Sequence, residues 1–217
     1  MNIPSRLILI ALAATTVAGC RTKGEIVVDE SVGVTAVRSA CPAVGIADYT
    51  GDITLFRTPA DTSAANLDVV AAITNVRAQC NETAGDKVFS TVTFDMLARR
   101  TDTRGARTVS LPYFVTVLRG GSAVIAKRIG TVEVTFADGQ ERARASGQGS
   151  AYIDRAEATL PADIREKITR KRRAGDADAA VDPLSEPEVK AALARASFET
   201  LVGFQLDAKQ LAYNATR

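Results

Sequence analysis

The chain of 217 residues has no histidine, no tryptophan and only three cysteines. Without histidine it lacks the commonest general base, proton shuttle and metal ligand. Ser-His-Asp and Cys-His catalysis are therefore excluded within the chain itself. A serine-lysine dyad or a carboxylate pair of the kind glycoside hydrolysis uses stays open, because Asp, Glu, Ser and Lys are plentiful. No spacing singles any of them out, so no catalytic residue is assigned. An excess of charge of one sign is also missing: 27 Lys and Arg stand against 25 Asp and Glu. Such a balance gives no general attraction to nucleic acid. A phosphate-cradling loop is absent as well. Ser146-Gly147-Gln148-Gly149-Ser150 has two glycines but no following Lys-Ser or helix, and a bulge or turn in a strand is the expected use. No cofactor is implied.

Long apolar runs are scarce, and the clearest one stands at the N-terminus. Arg6 precedes Leu7, Ile8, Leu9, Ile10, Ala11, Leu12, Ala13 and Ala14. That stretch falls short of the roughly 20 apolar residues a spanning helix needs, and it reads as the core of an export signal over 1–19. It closes on Val17-Ala18-Gly19-Cys20. An aliphatic residue, two small residues and a cysteine resemble the bacterial lipobox. The resemblance covers these 20 residues only. It implies cleavage before Cys20, lipidation of that thiol, and a domain tethered to the periplasmic face of a membrane. Three acyl chains, as the resemblance implies, hold far more firmly than one. Arg21 rather than Asp after the cysteine implies the outer membrane.

With Cys20 committed to lipid, Cys41 and Cys80 remain. An oxidising compartment favours joining them, and closing a loop of about 40 residues would stabilise the fold by roughly 4 kcal/mol. Two separate buried thiols are the alternative. A metal site is not expected, since two thiols without histidine make a poor ligand set.

Residues 20–40 read as the lipidated N-terminus and a tether grading into structure, and 41–217 as one domain. Period-two alternation and β-branched content predict strands near Ala43–Tyr49, Asp52–Arg57, Leu67–Ala78, Lys87–Arg99, Thr108–Arg119, Ser122–Phe136 and Arg142–Asp154. In Lys87–Arg99 one face carries Val88, Ser90, Val92, Phe94 and Met96. Tyr49-Thr50-Gly51-Asp52, Thr103-Arg104-Gly105, Arg119-Gly120-Gly121-Ser122 and Ala137-Asp138-Gly139-Gln140 supply reversals, Asp138-Gly139 being the strongest hairpin signal. Pro161 opens a helix running to about Arg173, and Glu188–Ser197 predicts a second. Phe198–Leu206 is assigned to a strand. The pattern is mainly β: an antiparallel β-sandwich of immunoglobulin- or fibronectin-like build with one or two C-terminal helices. The absence of tryptophan leaves it without the hallmark of either family.

Arg165, Lys167, Arg170, Lys171, Arg172 and Arg173 put six basic residues within nine positions. They would meet lipid phosphates or another anionic envelope polymer, or else complement a helix C-terminus. Two functions follow. The first is a non-enzymatic envelope protein that binds an envelope protein or anionic polymer. The second is a histidine-free hydrolase of cell-wall or surface polymer.

Overall fold

The computed structural model describes residues 39–82, 85–172, 175–178 and 180–217. Cys20, the expected signal 1–19, nearly all of the expected tether and Arg173 lie outside the described residues. Of the described residues, 39–82, 85–170 and 180–217 belong to one compact unit, and 171, 172 and 175–178 group outside it.

The chain is mainly β. Its strands are β1 (Ala43–Ile46), β2 (Asp52–Phe56), β3 (Leu67–Asn81), β4 (Lys87–Arg100), β5 (Arg107–Arg119), β6 (Ala123–Phe136), β7 (Arg142–Asp154) and β8 (Phe198–Phe204). They make two four-stranded sheets, ordered β1-β8-β5-β6 and β2-β3-β4-β7. All neighbours run antiparallel except β1, which lies parallel to β8.

Alternation decides which face is buried. Val88, Ser90, Val92, Phe94 and Met96 are all buried along β4, as their spacing predicts. Phe94 and Met96 share one core with Leu111, Val134, Phe136 and Phe204 of the other sheet. Each such side chain contributes about 1.5–3 kcal/mol. A second cluster joins Val88, Val117, Ala151, Ile153 and Phe198, with Cys41 and Cys80 packed against it. Those cysteines form a disulfide, with Cα atoms 6.0 Å apart.

The reversals divide into two kinds. Gly120 and Gly121, at φ +62° and +78°, close the β5–β6 hairpin within a three-residue connection, Gly120 to Ser122, where glycine accepts the left-handed conformation. Asp138-Gly139 does not close a hairpin, because β6 and β7 belong to different sheets. Its groups are committed to the β4–β5 connection instead: Gly139 N–H donates to Thr103 O, and Gly105 N–H donates to the Asp138 carboxylate. The turn therefore carries the chain across the core.

Gly147 and Gly149 mark no bulge, for β7 pairs with β4 without interruption from Arg142 to Asp154. A Cβ at 147 would lie 2.4 Å from Phe94 Cζ, and one at 149 would lie 2.5 Å from Val115 Cγ2. Gly149 lets this sheet close onto β5 of the other, and Gly147 leaves room for the Phe94 ring of the neighbouring strand. The bulge lies in β3, between Thr74 and Arg77.

Among the described residues three α-helices, not one or two, follow β7: α1 (Ala162–Thr169), α2 (Pro187–Ala196) and α3 (Ala208–Thr216). Ile164 and Ile168 of α1 pack on Val189, Ala192 and Ala196 of α2. The first helix stops at Thr169 rather than Arg173. Arg170 turns extended, at ψ 124°, while its N–H still donates to Glu166 O. The unexpected α3 starts on a capping box in which Asp207 and Gln210 satisfy each other's backbone N–H groups.

Candidate functional site

The bulge in β3 puts Asn75 at φ +52°, a conformation asparagine tolerates better than most residues. Its Nδ2 then donates to Asp95 Oδ2 at 2.8 Å, on the outer face of the β2-β3-β4-β7 sheet. Asp95 also accepts from Arg144 Nη2 at 2.6 Å and from Ser146 Oγ at 2.8 Å. The ladder explains the meeting, since β7 sets Ser146 opposite Asp95 and Arg144 opposite Leu97. Arg144 foremost, then Asn75 and Ser146, hold the Asp95 carboxyl below its ordinary range. It is ionised at neutral pH with its lone pairs engaged. A carboxylate so placed neither delivers nor removes a proton; it orients Arg144.

Beside this cluster lies an open groove of about 530 Å³. Val70, Ala72 and Leu97 line it, along with Arg99, Arg142 and Arg144. Leu97 is 46% exposed, unusual for a leucine in mid-strand. Arg99 and Arg142 stand directly opposite each other in the ladder. Like charges so placed destabilise a sheet. Glu141, at 3.7 Å from Arg99, is the acidic group that offsets them among the described residues. An apolar surface rimmed by three guanidinium groups fits a ligand that joins an anionic group to an apolar one. The sequence signal was Arg142-x-Arg144 on one face of a strand, and it gained meaning only once the register brought Arg99 and Leu97 beside it.

The residues singled out from sequence fare unevenly. Cys41 and Cys80 are bonded to each other. The described residues of the basic run differ in their surroundings. Arg165 is exposed on α1, Lys167 pairs with Glu186, and Arg170 is exposed just beyond the helix. Lys171 is exposed, but Arg172 has a side chain only 3% exposed, with Nε 3.2 Å from Asp178.

Among the described residues, no group of three or more His, Cys, Asp or Glu is placed to hold a metal ion. None of their helices is long and apolar enough to cross a membrane. No protein-family model, curated protein or solved structure matches the chain.

Proposed function

We propose that this chain is a lipoprotein, cut before Cys20, lipidated there, and held at the periplasmic face of the outer membrane, where it binds an anionic envelope component without catalysing its turnover. The address rests on Val17-Ala18-Gly19-Cys20, which resembles the lipobox, and on the Cys41–Cys80 disulfide, a bond at home in an oxidising compartment. The body is read as an antiparallel sandwich of immunoglobulin- or fibronectin-like build, two sheets closing on one core with β1 as its single parallel strand. The binding role rests on one observation above the rest. The buried carboxylate of the candidate face, Asp95, is occupied by three donors, while the groove beside it has an apolar floor and an arginine rim. Hydrolysis of a glycan needs a carboxylic acid that gives up a proton, and Asp95 does not fill that role.

Two measurements test the reading. Intact mass of the protein from membranes of a native host, beside Cys20→Ala, should show a chain starting at Cys20 with acyl chains that the variant lacks; an unlipidated mass in the parent removes the address. Co-sedimentation with native envelope fractions should weaken in Arg99→Gln/Arg142→Gln. Unchanged retention of that variant removes the groove from the account.

A further inference from the structure

The apolar groups on the surface of the described residues are not scattered evenly. Val124, Ile125 and Ile129 are 64%, 53% and 64% exposed, and all three belong to the first half of β6. This strand is the edge of its sheet. Val115 and Val117 of β5 are buried, yet their partners across the ladder, Arg128 and Ala126, are exposed. The cause is the Gly149 contact: β7 closes directly onto Val115, so the core ends at β5 and the start of β6 projects as a flange with both faces in solvent.

The flange is cationic as well as apolar. From Ala123 to Thr131 the strand has no acidic residue, while it has Lys127 and Arg128. Lys127 Nζ sits 4.5 Å from the centre of the Phe114 ring, and neither Lys127 nor Arg128 has an acidic partner among the described residues. Hydrophobic side chains beside unpaired cations are what an anionic bilayer surface takes up. A partner strand fits less well. Val117 faces Ala126 and Leu118 faces Val124, which leaves Ile125 as an extra residue, and a bulge with two adjacent cations is how edge strands resist pairing.

The topology orients this flange. Ala43, Glu199, Leu118 and Val124 lie in one row across the sheet, so the chain arrives from its N-terminal side at the same end that carries the Gly120-Gly121 tip.

We infer that the exposed half of β6, Val124, Ile125 and Ile129 with Lys127 and Arg128, is a membrane-contact edge that docks on anionic phospholipid and holds the disulfide-bonded end of the domain against the bilayer. The inference rests on the proposed lipoprotein reading for its biological setting, but the contact itself does not need the lipid anchor.

The test uses residues 20–217 with Cys20→Ser, oxidised, so that no acyl chain contributes. The chain is sedimented with vesicles of phosphatidylcholine alone or with about one third phosphatidylglycerol. It should bind the anionic vesicles at least about tenfold better than the neutral ones, and lose about tenfold in Val124→Thr/Ile125→Thr/Ile129→Thr and in Lys127→Gln/Arg128→Gln. A dye on Ser122→Cys, which leaves every proposed contact residue in place, should shift to the blue on anionic vesicles. A parent that ignores both vesicles overturns the proposal, as does a folded triple variant that binds like the parent. A parent that dimerises through β6 without binding vesicles overturns it too, in favour of strand pairing. Mass at Cys20 decides the anchor separately, so the two readings fail independently.

Discussion

Replacing Arg100 with methionine should cost more stability than any other substitution of a single cation in this chain. Arg100 ends β4 and is 1% exposed. Its Nε donates to Gln140 O at 2.8 Å and Nη1 to Gly105 O at 2.8 Å, while Nη2 donates to Thr103 O at 2.7 Å and Ala137 O at 2.8 Å. The guanidinium also stands 5.2 Å from the centre of the Phe136 ring. Four carbonyls from two connections, β4–β5 and β6–β7, thus converge on one buried cation, and both connections cross between the sheets. Hydrogen bonds to a charged donor are worth about 1.5–3 kcal/mol each, roughly 6–12 kcal/mol gross for four. Methionine also removes the desolvated charge, which returns several kcal/mol. Gly105, Ala137 and Gln140 are exposed, so water reaches their carbonyls once the guanidinium is gone. A net loss of about 3–4 kcal/mol remains, or about 10 °C in melting temperature for a domain of this size. Urea unfolding followed by far-ultraviolet circular dichroism, on oxidised protein, measures it. Arg100→Lys should not rescue, because one ammonium cannot address carbonyls on both sides of a planar fork. A loss under about 1 kcal/mol, or a lysine variant as stable as the parent, would refute the clamp and return the stability of these crossings to hydrophobic packing.

Reduction of Cys41–Cys80, whose partners are 39 residues apart, should lower stability by about 4 kcal/mol, read as the shift in urea midpoint with and without reductant. Gly147→Ala should cost about 1–3 kcal/mol by forcing a methyl group into the Phe94 ring, and a neutral result in the same assay would show that the ring gives way there. Asp95, held low by Arg144 before Asn75 and Ser146, and Asp68, held low by its Arg107 hydrogen bond, have folded pKa values below the ordinary 3.8. The unfolded chain therefore takes up protons first, and this stabilisation is full above the ordinary value and lost as pH falls through it toward the folded values. Unfolding midpoints measured across that range should drop in the parent and drop less steeply in Asp95→Asn.

The strands were legible because period two survives in the amino acids themselves. Arg142–Asp154 alternates Arg, Ala, Arg, Ala and keeps the same bounds in the fold. Turns were legible only as reversals. Gly120-Gly121 and Asp138-Gly139 look alike in sequence, yet one closes a hairpin and the other crosses the core, and the difference is made by Arg100 and Thr103, more than thirty residues before Asp138. The same holds for the glycines of β7, whose reason is an aromatic ring on β4 and a valine on β5. The candidate site was hidden for a related cause. A charged residue on an exposed strand face says nothing alone, and Arg99 opposite Arg142 becomes a signal only after the register is known. The extent of the first C-terminal helix was hidden too, since the basic composition of 165–173 does not show that α1 ends at Thr169.

The two proposed surfaces sit at opposite ends of the strands, and that separation links them. Leu97 and Arg99 lie near the C-terminal end of β4, whereas Val88, at its start, belongs to the cluster that packs on the disulfide. Nine residues of strand separate Val88 from Leu97, roughly 30 Å at about 3.3 Å per residue. The β6 flange shares the disulfide end, since Val117 of that same cluster pairs with Ala126. A domain docked on the bilayer through the flange would therefore hold its arginine-rimmed groove well clear of the headgroups, beyond the roughly 8 Å over which salt screens their charge. The groove would then select anionic partners in the aqueous space rather than the membrane that anchors it. Loss of envelope binding in Arg99→Gln/Arg142→Gln with vesicle binding intact, and the reverse pattern in the β6 variants, is the outcome this arrangement requires. Both losses in either variant would mean that one charged surface, not two, governs the protein.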